Sequence, residues 1–586
     1  MMVLPKACAG PMMTALLMAS GLLHAAASPP PSPATVAALD PKVTAGAGAR
    51  LNFVEYEAES GATNARIVGP DVAFTTLASE ASGRRAVVLE AERDFVQFTL
   101  SAAANALTVR YAMPDAPDTG ITDGALDVYA QGKRIAALAV TSRYCCYYGR
   151  YPFTKNAADG NGHHFFDHAR TLLDHVLPPG TVVRLMRSPE TKVVWCAIDL
   201  VDFELVPAPL KRPPNSLSVA DFGADRRGAS DSREAFSKAI AAASSAKRAL
   251  WIPAGHFRLD GHLEVDRVEI AGAGAWYSIL QGDGVGLYGR NAPHPSQAVD
   301  IHDLAIVGEV RERDDHKALA GIGGALGDGS RIHDLFIQHV KVGLWLDGPF
   351  DGLLISHVRV FDTTADGLNL HRGISNVTVE ENLFRNTGDD GIASWADKLA
   401  NHDVMIRHNT VIAPILANGI ALYGGHDIAV IGNLIADTLT EGGGLHLGNR
   451  FHAVPLSGRI SLQDNMVVRG GGDDPHWPGG VGAVWLYALE EPIEAQIELK
   501  NTMLLDCTHA ALQLLGRRID GLTVKGLRVD RAASLIELRA QGHATFESVD
   551  ATGVADPAVL TCGSFLVDWQ GLQSLHRFAS RFVECQ

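Results

Sequence analysis

NVTVEENLFRNTGDDGI (Asn376–Ile392) is followed by HDVMIRHNTVIAPILANGI (His402–Ile420) and HDIAVIGNLIADTLTEGGGL (His426–Leu445), and all three segments share one layout. An apolar or β-branched run leads to an asparagine, a second apolar run follows, and a turn containing glycine closes the segment. GRISLQDNMVVRGGG, which begins at Gly458, repeats the layout. Successive units of this kind indicate a solenoid in which each unit forms one turn.

The spacing of the repeated residues indicates which solenoid this is. The asparagines are separated by 27, 24 and 32 residues, and the turn glycines by 24, 28 and 25. These positions are Asn382, Asn409, Asn433 and Asn465, and Gly367, Gly391, Gly419 and Gly444. Leucine-rich repeats have this period but need L-x-x-L-x-L patterning, which is absent. Short valine- and isoleucine-rich runs with asparagine at a bend predict a right-handed parallel β-helix, in which each asparagine amide bonds to the next along the axis.

The region before the solenoid has a different pattern. From Leu51 to Val206, short apolar runs such as DFVQFTL (Asp94–Leu100) alternate with turns rich in Gly, Pro, Asn and Asp. This pattern favours a β-sandwich, and the following PAPLKRPP is typical of a stiff linker. We therefore predict an all-β protein with a sandwich at 51–206, a linker at 207–215 and a β-helix catalytic domain at 216–586.

The N-terminus has the features of an export signal. Lys6 precedes an apolar stretch from Met12 to Leu23, and Ala25 and Ala27 form a small-residue cleavage pattern. We expect a signal peptide at 1–27, a Pro/Ala-rich linker at 28–50, and secretion to the extracellular or periplasmic space.

The cysteines are consistent with export. Of seven cysteines, Cys8 lies in the predicted signal, and an even number remains, which permits disulfides in an exported chain. The six are Cys145, Cys146, Cys196, Cys507, Cys562 and Cys585. Three lie in the N-terminal third and three in the C-terminal part. Because each number is odd, we expect at least one free thiol or one inter-domain bridge. Cys562 and Cys585 could close the C-terminal end.

Charge and hydropathy argue against two kinds of partner. The 586 residues carry a net charge of −16, and an acidic surface repels phosphate backbones, so we expect no nucleic acid partner. After the N-terminus no apolar run is long enough to cross a bilayer, so we expect no membrane partner. We expect a monomer with a polysaccharide substrate.

Alignment of the turns brings three aspartates together. Asp366 lies one turn below Asp390, at the strand spacing of about 4.8 Å, and Asp389 lies beside them. Strict alternation would point Asp366 and Asp390 into the core, at high cost, so we infer a turn or bulge at the following glycine that brings them out. Mutual repulsion raises at least one pKa, which leaves a proton donor beside ionised bases, as glycosidic bond cleavage requires.

Other side chains of the same strands are candidates for sugar binding. Residues on the outward parity are Asn369, His371, Trp395, Tyr423 and His446, and His426 is a further candidate for bonding to hydroxyl groups. The two aromatic rings, Trp395 and Tyr423, could stack on sugars or could serve only in packing. An alternative function for paired aspartates in a glycine-rich turn is a calcium site.

ADGLNLH with Asp366, followed by NTGDDGIASW with Asp389 and Asp390, resembles glycoside hydrolase family 87, which contains α-1,3-glucanases and mycodextranase. The resemblance covers about Ser216 to Arg469. It implies an inverting hydrolase of α-1,3-glucan, or of mixed α-1,3/1,4-glucan, with the three aspartates as the catalytic set and no catalytic metal.

The resemblance also suggests individual roles. We expect Asp389 to be the general acid, while Asp366 and Asp390 hold the attacking water. A one-turn stack is shorter than the roughly 6.5–9.5 Å of inverting pairs, so we expect acid and base to be the diagonal pair.

The sandwich has a resemblance of its own. YEAE (Tyr56–Glu59) and the closing IDLVDFELV are similar to carbohydrate-binding module family 35. That similarity implies a structural Ca²⁺ held by Glu57, Glu59 and Asp199, whose hard oxygen atoms suit this ion. The alternative is that these are ordinary strand carboxylates.

Two other functions fit a β-helix. A polysaccharide lyase needs a cationic base, and the nearest candidates are Arg372 and Lys398. A non-catalytic glycan-binding protein would bind through the sandwich and hold calcium with the aspartates.

Overall fold

The computed structural model describes residues 44, 46–73, 75–116, 120–149, 154–160, 162–163, 166–191, 193–438, 441–472, 480–570 and 580–582. The predicted signal peptide and most of the predicted linker at 28–50 lie outside them. The described end of that linker contacts the β-helix: the Gly48 amide donates to the Gly432 carbonyl at 2.8 Å, and the Ala49 amide to Thr410 Oγ1 at 2.9 Å.

The N-terminal domain consists of antiparallel sheets that enclose a shared core. The first sheet contains β1 (Phe53–Glu57), β3 (Arg66–Val68), β4 (Ala86–Leu89), β6 (Ala104–Ala112), β11 (Asp167–Leu177) and β13 (Cys196–Glu204). The second contains β2 (Ala62–Thr63), β5 (Phe95–Thr99), β7 (Asp123–Ala130), β8 (Lys133–Thr141) and β12 (Val182–Arg187), and β9 (Tyr147–Tyr148) pairs with β10 (Gly162–His163). Short 3₁₀ helices lie at Ala58–Ser60, Ser82–Arg84 and Ala157–Asp159.

The second domain begins with β14 (Leu217–Ser218) and a 3₁₀ helix (Val219–Phe222). Its one α-helix among the described residues, α1 (Arg233–Ala246), packs its buried face on the end of the core. The rest is a parallel β-helix of about 14 turns. Its strands pair in parallel between successive turns and form three faces. The predicted all-β fold, a parallel β-helix preceded by a β-sheet domain, is confirmed.

Face 1 contains β18 (His262–Glu264), β21 (Gly286–Tyr288), β24 (Ala320–Gly324), β27 (Val342–Asp347), β30 (Leu368–His371), β33 (Ile392–Trp395), β36 (Ile420–Tyr423), β39 (Leu445–Asn449), β42 (Val484–Ala488), β49 (Val559–Thr561) and β51 (Ser580–Phe582). Face 2 contains β14 (Leu217–Ser218), β16 (Leu250–Ile252), β19 (Glu269–Gly272), β28 (Phe350–Ser356), β31 (Ile374–Glu380), β34 (His402–Arg407), β37 (His426–Ile431), β40 (Ser457–Gln463), β43 (Gln496–Lys500) and β50 (Phe565–Gln570).

Face 3 contains β15 (Arg227–Asp231), β17 (Gly255–Arg258), β20 (Ser278–Gly282), β29 (Arg359–Thr363), β32 (Leu383–Thr387), β35 (Thr410–Ile412), β38 (Leu434–Ala436), β41 (Met466–Val468), β44 (Met503–Leu505), β46 (Arg528–Ala532) and β48 (Asp550–Val554). Longer strands continue from one face to the next: β23 (Asp300–Gly308), β26 (Ser330–Gln338), β45 (Ala510–Lys525) and β47 (Ser534–Glu547). A separate pair joins β22 (Ser296–Gln297) to β25 (Leu326–Gly327).

Inward side chains of successive turns stack in register and fill the β-helix. On face 1 the stack is Leu344, Leu368, Ile392, Ile420, Leu445 and Val484, all almost completely buried. The predicted asparagine ladder is also present. Asn382 Nδ2 donates to Asn409 Oδ1 at 2.9 Å, and the bond repeats from Asn409 to Asn433 and from Asn433 to Asn465, each at 3.0 Å. The ladder therefore satisfies buried polar groups between faces 2 and 3.

The sandwich docks on face 3 through buried ion pairs. Arg385 of β32 is fully buried and donates to Asp202 at 2.8 Å and to Glu55 at 2.6 Å. His168 Nδ1 lies 2.8 Å from Asp362 Oδ1. Buried charges are stable only when they are paired, so these contacts join the two domains firmly.

Four of the described cysteines, Cys145, Cys146, Cys196 and Cys507, are buried free thiols, which agrees with the expected free thiol. Cys562 forms a disulfide. Cys585 lies outside the described residues, so its pairing with Cys562 stays a prediction. In the described parts of the chain, no helix has the length and apolar character needed to cross a membrane.

Candidate active site

The aspartates lie in two stacked bends between faces 3 and 1. One bend spans residues 364–367 and the other 388–391, and in each a threonine hydroxyl donates to a backbone carbonyl: Thr363 to Ala365 at 2.7 Å, and Thr387 to Asp389 at 3.0 Å. Because these bends lie outside the strands, they interrupt the alternation of inward and outward side chains, as inferred from the sequence. A Cβ on Gly367 would meet the Gly391 carbonyl at 2.5 Å, so the close stacking of the bends requires glycine.

The three carboxyl groups converge. Asp366, Asp389 and Asp390 each have an oxygen within 4.8 Å of the others, and all three line a cleft of about 1010 Å³. Asp366 and Asp390 are buried, while the Asp389 side chain is 27% exposed. The separation of the whole carboxyl groups in the expected diagonal acid–base pair stays a prediction.

Hydrogen bonds from the next turn hold Asp390 in place. Asn418 donates to it from its backbone amide at 2.8 Å and from Nδ2 at 2.9 Å, and the Tyr423 hydroxyl donates at 2.9 Å. Trp485 Nε1 donates to Asn418 Oδ1 at 2.7 Å, which fixes the orientation of that amide. Asp390 is thus the most firmly oriented carboxylate of the set.

Asp389 has a cationic partner. Arg313 Nη1 lies 2.6 Å from Asp389 Oδ2, and it comes from the 309–319 segment that connects β23 to β24. Lys341 anchors this segment by donating to the Asp314 carbonyl at 3.0 Å. No repeat or motif marks Arg313 in the sequence, so pattern analysis could not have found it.

Electrostatics distinguish the members of the triplet. Burial, with repulsion by Asp389 and Asp390, raises the pKa of Asp366 well above its usual range. Burial, with repulsion by Asp389, raises the pKa of Asp390 to about 7. Asp366, the carboxyl group whose pKa is raised well above its usual range, therefore lies beside the Arg313–Asp389 ion pair and favours its protonated form.

Comparison with known proteins identifies the family. Residues 50–206 match the family model "Alpha-1,3-glucanase catalytic domain D1", and residues 229–534 match "Alpha-1,3-glucanase catalytic domain D2". The catalytic unit of the thermostable GH87 α-1,3-glucanase from Streptomyces thermodiastaticus strain HF3-3 is 38% identical, with a TM-score of 0.83, and the match covers 92% of this chain and 99% of that chain. The chain belongs to glycoside hydrolase family 87.

Two further solved structures have the same fold. The Agl-KA catalytic domain is 26% identical with a TM-score of 0.85, and the match covers 90% of this chain and 99% of that one. An α-1,3-glucanase catalytic domain in complex with nigerose is 23% identical with a TM-score of 0.75 over 92% and 99% of the two chains. No curated protein sequence matches the chain. Family 87 membership makes the protein a glycoside hydrolase with an α-1,3-glucanase catalytic domain, which supports the hydrolase over the lyase and non-catalytic alternatives.

Three of the predicted sugar-binding residues line the same cleft as the three aspartates. Trp395 borders it with a partly exposed ring, and Asn369 lies beside Asp366, to which Nδ2 donates at 3.2 Å. Tyr423 also borders it, but the residue is 8% exposed and its hydroxyl is bonded to Asp390. Tyr423 therefore orients a carboxylate and offers little surface for a sugar platform.

The three predicted histidines do not line this cleft. His371 is held between the rings of Trp345 and Trp395, with ring centroids 5.0 and 4.7 Å away. His446 is fully buried and stacks on Trp485 at 3.9 Å, and burial lowers its pKa well below the usual range. His426 lies on face 2 and bonds to Asp427. All three contact neighbouring side chains, and a role for them in sugar binding stays a prediction.

Sequence reasoning missed part of the cleft wall. Trp345 and Trp485 line the cleft and belong to the same register column as Asn369, so a longer rung alignment could have found them. Gly149 of the sandwich also lines it. The N-terminal domain is therefore part of the catalytic unit, in agreement with the D1 match, and its resemblance to carbohydrate-binding module family 35 is not confirmed.

Of the proposed calcium ligands in the sandwich, Glu57 and Asp199 share a hydrogen-bonding partner, but among the described residues the ligand atoms of Glu57, Glu59 and Asp199 do not all lie within 4.8 Å of one another. Glu57 and Asp199 are almost completely buried, and Ser82 links them by donating from Oγ to Glu57 at 2.7 Å and from its amide to Asp199 at 3.0 Å. Burial, with repulsion by Asp199, raises the pKa of Glu57 well above normal. Glu57 Oε2 and Glu59 Oε2 are buried without a hydrogen-bond partner, which fits a cation, although Arg110 already pairs with Asp199.

Proposed function

We propose that this family 87 protein is a secreted enzyme that hydrolyses α-1,3-glucosidic bonds of a polysaccharide with inversion, using Asp366, Asp389 and Asp390. The observation that carries the proposal is the convergence of three carboxyl groups at the base of one aromatic-walled cleft. A proton donor beside ionised acceptors is the arrangement that glycosidic cleavage requires.

Asp389 is the most exposed of the three carboxyl groups and is the general acid. Substrate displaces Arg313 from Asp389, and the proton held on the triplet moves to Asp389. Asp389 then protonates the leaving glycosidic oxygen, while the stacked Asp366 and Asp390 orient a water molecule and take its proton as it attacks the anomeric carbon. Support comes from a GH87 α-1,3-glucanase whose structures with nigerose or tetrasaccharides carry alanine at one of three aspartates, which have the same order and spacing as this triplet.

The substrate is an α-1,3-glucan, with mixed α-1,3/1,4-glucan as the second candidate. Trp345 and Trp395, which are partly exposed along the cleft, provide apolar surface for sugar rings. Complexes of relatives with nigerose and tetrasaccharides support this choice.

The test is the activity of asparagine variants on insoluble α-1,3-glucan, nigeran, dextran and pectin. Asp366→Asn, Asp389→Asn and Asp390→Asn should each lower the release of reducing ends about 10²–10⁴-fold, with unchanged circular dichroism. Asp403→Asn, an exposed carboxylate of face 2, is the matched control. Full activity of Asp389→Asn, or unsaturated products that absorb ultraviolet light, would exclude the proposed site or reaction.

Proton NMR of the first-formed product tests the stereochemistry. Inversion releases the β-anomer from an α-glucan. Retention, with a covalent intermediate, is the result that would replace this mechanism.

We propose further that Ca²⁺ is bound by Glu57, Glu59 and Asp199 and stabilises the sandwich, while the chemistry uses no metal. Calcium chelation should lower the melting temperature by about 5 °C, because an ion that binds only the folded state stabilises it. Glu57→Gln should lose this response, whereas Glu264→Gln, in the β-helix, should keep it. A melting curve of the parent protein that does not respond to chelation would contradict the proposal.

A further inference from the structure

A histidine–carboxylate cluster lies on face 2, in early turns of the β-helix, and none of its residues lines the cleft. Asp300, His302 and His333 each offer a ligand atom, and these atoms lie within 4.8 Å of one another. The register pairs His302 with His333 on the next turn, and Asp300 with Glu269 on the previous one. Side chains of three successive turns thus meet at one place on the surface.

A carboxylate orients each histidine ring. His302 Nδ1 lies 2.7 Å from Asp303 Oδ2, and His333 Nδ1 lies 2.7 Å from Asp334 Oδ2. Both aspartates have positive φ, of 59° and 52°, which turns their side chains back towards the preceding ring. A carboxylate on the second nitrogen is what metal-binding histidines commonly have.

The Nε2 atoms face the remaining carboxylates. His333 Nε2 lies 3.0 Å from Asp300 Oδ1, and His302 Nε2 lies 3.7 Å from Glu269 Oε1. Arg331 pairs with the other oxygen of Asp300, which leaves Oδ1 directed towards the rings. Two imidazole nitrogens and two carboxylate oxygens form a donor set that suits Zn²⁺ and similar ions.

We propose that Asp300, His302 and His333, with Glu269 as a fourth ligand, bind a divalent transition-metal ion such as Zn²⁺ that links three turns of the β-helix. The rings lie parallel, 4.8 Å apart with 4° between their planes, so binding requires each ring to rotate until both Nε2 atoms point at the ion. The ion takes the place of the hydrogen bond between His333 and Asp300.

Face 2 also contains a second pair of stacked histidines, which serves as a matched comparison. His402 and His426 stack at 4.9 Å with 3° between the rings, and each bonds through Nδ1 to the aspartate that follows it. Among the described residues, no third ligand converges with these two rings. A His-Asp stack therefore occurs without a metal site, and Asp300 and Glu269 distinguish the first pair from the second.

The experiment is calorimetric titration of the full chain with Zn²⁺, together with visible absorption after loading with Co²⁺. We expect one equivalent to bind at this site, with affinity at least tenfold lower in the His302→Ala/His333→Ala variant and unchanged in His402→Ala/His426→Ala. Asp300→Asn retains the stacked rings and should also weaken binding, which separates ligation from stacking. The proposal is overturned if no Zn²⁺ binds, if the first variant or Asp300→Asn binds as the parent does, or if the control pair loses affinity equally.

Discussion

Arg313 is the residue through which a surface segment acts on the catalytic carboxyl groups. It pairs with Asp389 and, through its charge, lowers the pKa of Asp366, against the larger raising effects of burial and of the two neighbouring aspartates. The segment around Arg313 thus helps to set the pH range in which the triplet holds a proton.

Replacement of Arg313 by glutamine should move the alkaline limb of the kcat/KM profile to higher pH. That limb reports loss of the proton that the triplet holds in the free enzyme. Removal of the Arg313 charge raises the pKa of Asp366, which this charge lowers in the parent. The measurement is a pH–rate profile on a soluble α-1,3-gluco-oligosaccharide. Arg407→Gln, in an exposed pair with Glu380 on face 2, should leave the profile unchanged. A shift to lower pH would contradict the assignment.

Single residues also show how far sequence reasoning extends. The stacking of Asp366 on Asp390 was predictable because the glycine spacing fixes the register of their turns. The environment of His446 was not predictable, because alternation places it outward and the Trp485 ring of the next turn then covers it. Arg313 comes from a connection without periodicity. Register follows from the pattern along the chain, whereas contacts with loops and insertions depend on the tertiary fold.

At the scale of elements, the asparagine ladder connects successive turns of the β-helix. Strand pairing and core packing also hold these turns together. Asn409 Oδ1 accepts from the amide and the side chain of Asn382, at 3.1 and 2.9 Å, and Asn409 Nδ2 donates to the Val379 carbonyl at 2.9 Å. One side chain thus satisfies groups on more than one strand. The sequence predicted this role because the asparagine recurs in each unit.

Asn409→Ala should destabilise the β-helix substantially. Each buried group left without a partner costs about 1–3 kcal/mol, and this change leaves several buried groups without a hydrogen-bond partner. Urea unfolding, followed by circular dichroism, should show a lower midpoint. Gln496→Ala removes an exposed amide side chain of β43 and should leave the midpoint unchanged. Equal midpoints for the parent and Asn409→Ala would show that the ladder adds no stability.

At the scale of the whole molecule, the sandwich and the β-helix form one catalytic unit. Their interface contains buried charges, and the sandwich contributes Gly149 to the cleft. The sequence predicted both domains and their order. It also suggested a separate binding module, because strand patterning within a domain says nothing about which surface that domain will cover.

Arg385→Met should destabilise both domains together. Loss of one partner from a buried ion pair costs about 3–5 kcal/mol, because Asp202 and Glu55 are left buried without their cationic partner. Calorimetry should show the melting transition of the protein at a lower temperature, with loss of glucan hydrolysis over the same range. Arg66→Ala, in an exposed pair with Glu90, is the control and should change neither. Two separated transitions in the parent would show that the domains are independent.

The buried pairing of Arg385 also limits how this enzyme can evolve. A sandwich whose surface lacks counterparts of Asp202 and Glu55 would leave the Arg385 charge unpaired in the interface. Recombination at the 207–215 linker therefore meets a barrier that a flexible linker would not impose. Within family 87 we expect the two halves to have been inherited together, so that phylogenetic trees built from each half alone should have the same branching order.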